Sequence, residues 1–128
     1  MKKIFLLILC MIICISFCAC SVVDISESNH GELYFVHGGK NIKEELSEED
    51  FDTIAEILNK KILYRETLYC GFSKDISVVI GDRTFCFSHD ACAVVYVLEE
   101  DKYINLSDEE YETLTKILTL YGFSFPCI

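Results

Sequence analysis

The sequence predicts an α+β domain: one antiparallel sheet of about five to six strands carrying two capped helices. Three observations point there. A thirteen-residue pattern occurs twice with a period of 60, as LSEEDFDTIAEIL at 46–58 and LSDEEYETLTKIL at 106–118. Six positions are identical and five more are conservative exchanges, agreement that marks an internal repeat. Each copy comes after two short strand-like segments joined by a turn. Between the copies, residues 76–80 and 83–87 flank Gly81-Asp82, a favourable two-residue hairpin loop.

The chain starts with a different kind of segment. Met1-Lys2-Lys3 precedes an apolar run over 4–15, then Ser16-Phe17-Cys18-Ala19-Cys20-Ser21. A short basic start, an apolar stretch and a small residue before the cut define a secretory signal. Phe17-Cys18-Ala19-Cys20 resembles the lipobox of bacterial lipoproteins, with Ala19 as the small residue before the modified cysteine. Cys10, Cys14 and Cys18 come after large residues, so Cys20 alone fits. The resemblance implies that 1–19 is removed and that Cys20 carries a diacylglycerol and fatty acyl anchor (palmitate type). The alternative is an uncleaved anchor, since residues 4–23 are long enough to cross a bilayer core of about 30 Å. Either reading exports the remainder of the chain. Residues 20–30 are polar and irregular and are expected to form a tether, leaving 31–128 as a single domain whose repeat units span about 33–61 and 92–121.

In the first unit, residues 33–37, a Gly38-Gly39 turn and residues 41–45 read as a hairpin. Ser47 then caps a helix over about 47–61, with Asp50 three residues on and Leu46 and Phe51 placed as a hydrophobic staple. Phe51, Ile54, Ala55, Leu58 and Ile62 keep helical spacing. Residues 64–69 are a further strand candidate. In the second unit, 92–98 and 102–106 flank a turn at 99–101, and residues 76–106 together read as a four-strand meander. The 92–98 segment is apolar on both faces, as expected of a strand covered on both sides. Ser107 caps the second helix, about 107–121, with Glu110 completing a capping box and Gly122 placed to stop it. Acidic residues fill both first turns, where the helix dipole favours them.

Composition bounds the function. The whole chain has 21 acidic and 11 basic side chains, net −10. Residues 20–128 hold all 21 acids but 9 bases, net −12. That charge argues against a nucleic-acid partner, which needs a basic face to neutralise phosphates. The 52% hydrophobic content reflects averaging of the apolar N-terminal segment with this acidic domain.

With Cys20 assigned to lipid, Cys70, Cys86, Cys92 and Cys127 remain in the domain. An even number in an exported chain reads as a disulfide framework, with three possible connectivities. Cys86–Cys92 with Cys70–Cys127 is the preferred pairing, the first bridge closing across the 87–91 loop. The competing reading is a metal site from Cys86, His89, Asp90 and Cys92, but its five-residue spacer and missing second ligand pair fit structural zinc poorly.

No catalytic constellation emerges. His30 and His37 lie in the tether and beside a turn, and His89-Asp90 lacks a paired nucleophile. His37-Gly38-Gly39-Lys40 lacks the spacing and subsequent helix of a phosphate loop. The 44–52 acidic stretch lacks the order of a calcium loop. The expected function is a non-enzymatic binding or interaction module, without cofactor or metal, held to the outer side of the cell membrane through Cys20 and meeting a protein or cell-wall partner. The alternative is a metal-binding or hydrolytic domain centred on the Cys86–Cys92 loop. Tandem strand–helix units with surface tethering resemble small accessory lipoproteins such as the β-lactamase-inhibitor-like fold; the resemblance is one of architecture, so no site residue carries over. The isoleucine- and lysine-bearing, proline-poor sequence is similar to lipoproteins of low-GC Gram-positive bacteria.

Overall fold

Alternation of apolar and polar residues in six segments builds a single sheet, with one apolar row under two helices. The computed structural model describes residues 1–17, 21–88, 90 and 92–123. After α1 (Lys2–Phe17), β1 (Glu32–His37) and β2 (Lys40–Glu45) form a hairpin that leads into α2 (Glu48–Leu58). Then come β3 (Phe72–Ile80), β4 (Arg83–Ser88), β5 (Val94–Val97), β6 (Lys102–Asn105) and α3 (Asp108–Leu120). The sheet order is β2-β1-β3-β4-β5-β6, with every neighbouring pair antiparallel. The fold is therefore α+β, with an open six-stranded sheet.

Strand order makes the repeat visible in space. Unit one (β1, β2, α2) and unit two (β5, β6, α3) occupy opposite flanks of the central β3–β4 hairpin. Because β1 and β5 run in opposite directions, a pseudo-twofold axis perpendicular to the sheet relates the units. Equivalent side chains fill the core: Ile54 and Leu114, and Leu58 and Leu118, are all fully buried. Leu33 and Phe35 of β1, Val78 of β3, Phe85 of β4, Val95 and Val97 of β5 and Ile104 of β6 supply the sheet side of the same cluster.

Both helices begin as their sequences predict. Ser47 and Ser107 accept from the backbone N–H groups of Asp50 and Glu110 at 3.2 and 3.1 Å. At the far end of α3, Gly122 (φ +103°) occupies the left-handed turn that a side chain would strain. Gly122 and Phe123 N–H donate to Thr119 and Leu118 carbonyls at 3.1 and 3.3 Å, a Schellman closure.

Three expectations need correction. The disulfide joins Cys70 to Cys92, not Cys86 to Cys92. Cys86 lies within β4, on the face away from the helices, and its place in the β4–β5 ladder is opposite Tyr96. Cys92 precedes β5, beside the segment that enters β3, so Cys70 is its neighbour. Cys70 is thereby unavailable to Cys127, which lies outside the described residues, as does Cys20. Residues 64–69 form no strand; Tyr64 alone bridges to Tyr103 of β6. The segment expected as a tether belongs largely to the domain. Val23 and Ile25 are buried, Val23 exchanges backbone hydrogen bonds with Lys60 and Lys61, and Arg83 donates to the Asp24 carbonyl at 2.7 Å. Val23 and Ile25, two residues apart, turn their apolar side chains into the core while Asp24, Ser26 and Glu27 stay exposed.

Among the described residues, no helix is long and apolar enough to cross a membrane. The sixteen residues of α1 span about 24 Å, against the roughly 30 Å of a hydrocarbon core.

Candidate functional site: the sheet face opposite the helices

With α2 and α3 packed on one face, the other face of the sheet carries the chemistry. The registers align one row across the strands: Lys43, Tyr34, Ser77, Cys86, Tyr96 and Tyr103. Tyr64 extends it through the bridge beyond β6. The row divides into an aromatic half and a polar half.

The aromatic half is built by β3, β5 and β6. Phe72, Tyr96 and Tyr103 form a triangle with ring centroids 5.2 to 6.0 Å apart, and Tyr64 lies 6.1 Å from Tyr103. All four pairs are tilted by 40 to 53°, which avoids the face-to-face stacking that ring quadrupoles disfavour. An irregularity in the β3–β4 register between Phe72 and Ser77 turns Phe72 onto this face. Two features brace the strap that carries it: the Cys70–Cys92 disulfide, and a 2.9 Å hydrogen bond from Gly71 N–H to Asp90 Oδ2. The hydroxyls of Tyr64 and Tyr96 are anchored. Tyr64 donates to Asn105 Oδ1 at 2.6 Å and Tyr96 to Asp101 Oδ1 at 2.8 Å. The Asp101 bond, then burial, pushes the Tyr96 phenol up to about 12, and burial with the nearby Glu66 charge raises Tyr64. Both remain neutral donors near pH 7.

The polar half is a shallow groove of about 620 Å³. Tyr34, Lys43, Lys74, Ser77 and Thr84 line it, and Lys43 pairs with Glu32 across its rim at 3.0 Å. Between the halves Cys86 is buried as a free thiol. Burial, reinforced by the Glu99 charge, pushes the thiol up to about 11, so it packs as a small hydrophobe rather than acting as a nucleophile.

The sequence-predicted residues disperse. Cys92 is bonded to Cys70, which removes it from the cluster expected with Cys86, His89 and Asp90, and His89 lies outside the described residues. Among the described residues no group of three or more metal-ligating side chains assembles. His30 is exposed and its Nδ1 lies 2.9 Å from Asn29 Oδ1. The aromatic cluster, by contrast, is missed when each tyrosine is read as core. Its signal is Tyr96 and Tyr103 facing one another across the 99–101 turn, on the opposite parity from buried Val95, Val97 and Ile104.

No family model matches this chain, and neither the curated proteins nor the solved structures compared with it yield a match.

Proposed function

We propose that this chain is a lipid-anchored extracytoplasmic protein whose domain is a non-enzymatic binding module, presenting the face of its sheet opposite the helices to a protein or cell-wall partner. The observation that carries the reading is the half-buried aromatic cluster of Phe72, Tyr96, Tyr103 and Tyr64 on that face. Aromatic rings held rigidly, with polar tips already oriented, give contact area at little entropic cost. Export is supported by the basic start, the apolar run and the Phe17-Cys18-Ala19-Cys20 ending. The Cys70–Cys92 disulfide fits an oxidising compartment. Cleavage before Cys20 is supported further by Val23, because a span over residues 4–23 would withdraw a fully buried side chain from the core.

A photo-crosslinking residue in place of Tyr103 tests the binding reading in intact cells. One discrete adduct is expected, and a crosslinker in place of Glu56 on α2 serves as the control. Equal labelling from both positions would refute it. Loss of membrane retention on Cys20→Ser, and globomycin sensitivity of processing, test the anchor; unchanged processing would refute the lipoprotein assignment.

A further inference from the structure

We infer that the domain rests directly on the lipid surface, through the exposed apolar pair Val22 and Ile62. The inference rests on the lipid anchor at Cys20 proposed above and fixes which side of the domain faces the bilayer. Chain length decides it. Ser21 is bonded directly to Cys20, and its carbonyl already accepts from Leu63 N–H at 2.9 Å. Val22 pairs with Ile62 as an antiparallel bridge, and Val23 N–H donates to the Lys61 carbonyl at 2.9 Å. No free tether therefore separates a lipidated Cys20 from the domain, and the 61–63 backbone lies within one strand spacing of Ser21.

The side chains on that backbone suit the interface. Val22 and Ile62 are 42% and 63% exposed and stand opposite one another in the bridge, whereas the other exposed aliphatic side chains described in the domain, Val36 and Leu120, lie on β1 and at the end of α3. Beside them in the chain stand the exposed cations Lys60 and Arg65, side chains whose charged heads suit headgroup depth. Lys61 is engaged by Glu110, and Lys60 lies near enough to Asp24 to stabilise its carboxylate. The contact is accordingly apolar in character and does not depend on anionic lipid. Two aliphatic side chains hold a free protein to a membrane only weakly. Attached to a lipidated neighbour, they act at high effective concentration and need only set orientation.

The chain contains no tryptophan, so an introduced one reports alone. The full-length protein, processed in cells and reconstituted in phosphatidylcholine vesicles carrying shallow brominated lipid, is compared as Ile62→Trp and Lys43→Trp. Lys43 lies on β2, about 24 Å across the sheet from β6 at roughly 4.8 Å per strand. The Ile62→Trp emission is expected to shift to the blue and to be quenched at least about twofold more than that of Lys43→Trp, as interfacial burial requires. Mass spectrometry of the same samples reads the modification of Cys20. Lipid on Cys20 with equal quenching at the two positions overturns this inference and leaves the anchor standing. An unmodified Cys20 overturns both. A blue shift at position 62 without lipid quenching means that protein covers the pair, and also overturns it.

Discussion

The two strand–strand–helix units share a plan but differ in how each closes the first turn of its helix. In unit two the Glu110 carboxylate reaches back to Ser107 N–H at 2.9 Å, completing the capping box by itself. In unit one the equivalent residue is Asp50, one methylene shorter. There the hydroxyl of Tyr121 fills the gap, accepting from Ser47 N–H at 3.0 Å and donating to Asp50 Oδ2 at 2.7 Å. Tyr121 comes from the end of the other unit's helix. Its counterpart 60 residues earlier is Lys61, which binds both oxygens of Glu110 at 2.7 and 2.6 Å. Each helix start is thus clasped by the end of the other unit, through equivalent positions using different chemistry. The two units share the geometry of the clasp and build it from different groups.

Core substitutions test how equal the halves remain. Leu58→Ala and Leu118→Ala each remove a fully buried leucine at equivalent positions, and each is expected to cost about 2–5 kcal/mol. Urea denaturation of the two variants should give midpoints displaced by similar amounts. A cost confined to one of them would show that only that half carries the common core.

The disulfide has no counterpart in the first unit, where Glu32 occupies the position of Cys92. Cys70→Ser with Cys92→Ser is expected to lower stability by about 3 kcal/mol for a closed loop of this size. It should also loosen the strap carrying Phe72, read as faster amide exchange at Gly71 and Phe72, with β1 and β2 unchanged. Equal loosening of the first unit would mean that the bridge supports the whole sheet rather than one flank.

These two regions also separate the features a sequence makes legible from those it hides. Helix starts and hairpins are readable because caps, staples and turn residues act within a few positions, so Ser47, Ser107 and Gly81-Asp82 announce themselves locally. The Cys70–Cys92 pairing is not, since it depends on where the β3 entrance lies relative to the β5 entrance, a consequence of sheet order. The Tyr121 clasp is hidden for the same reason: its partners lie 71 and 74 residues away. The aromatic face needs the strand registers before Tyr64, Tyr96 and Tyr103 can be recognised as one surface.

The clasps themselves sharpen the comparison at smaller energies. Tyr121→Phe leaves the ring but orphans both Ser47 N–H and Asp50, with an expected loss of about 1–2 kcal/mol. Lys61→Met removes a half-exposed ion pair and is expected to cost about 0.5–1 kcal/mol, because Glu110 still closes its own box. The second clasp is the acid-sensitive one. Burial alone raises the Glu110 carboxyl, but hydrogen bonds from Lys61 and Ser107 and the lysine charge together hold it below the usual carboxylate range. A carboxyl lowered in the folded state contributes stability that is present above its unfolded value, about 4.3 for glutamate, and lost as pH falls through the folded value. Thermal melts from pH 6 to pH 3 should therefore show a shallower acid decline in Glu110→Gln than in the parent. Parallel declines would remove Glu110 from the acid response.

The smallest expected effect lies where the helices end. Unit two stops α3 with Gly122 in the left-handed turn, whereas unit one places Lys60 there at φ +62°. A side chain in that region costs about 1 kcal/mol through the contact of its Cβ with the backbone, and glycine avoids it. Lys60 N–H donates to the Val23 carbonyl at 2.7 Å, a bond that depends on the backbone turn and not on the lysine side chain. Lys60→Gly should preserve that bond and relieve the strain, while adding some unfolded-chain entropy that offsets part of the gain. A net stabilisation of about 0.5 kcal/mol is expected, measured as a raised urea midpoint at unchanged m-value. The reciprocal change, Gly122→Lys, should destabilise by about as much as glycine gains at position 60, because the Cβ it adds meets the ring of Phe35 at an ordinary contact distance of 3.5 Å and the strained φ carries the cost. If the two exchanges were equal and opposite, backbone conformation alone would account for the difference between the two helix ends. An excess at Gly122 would assign the remainder to packing against Phe35.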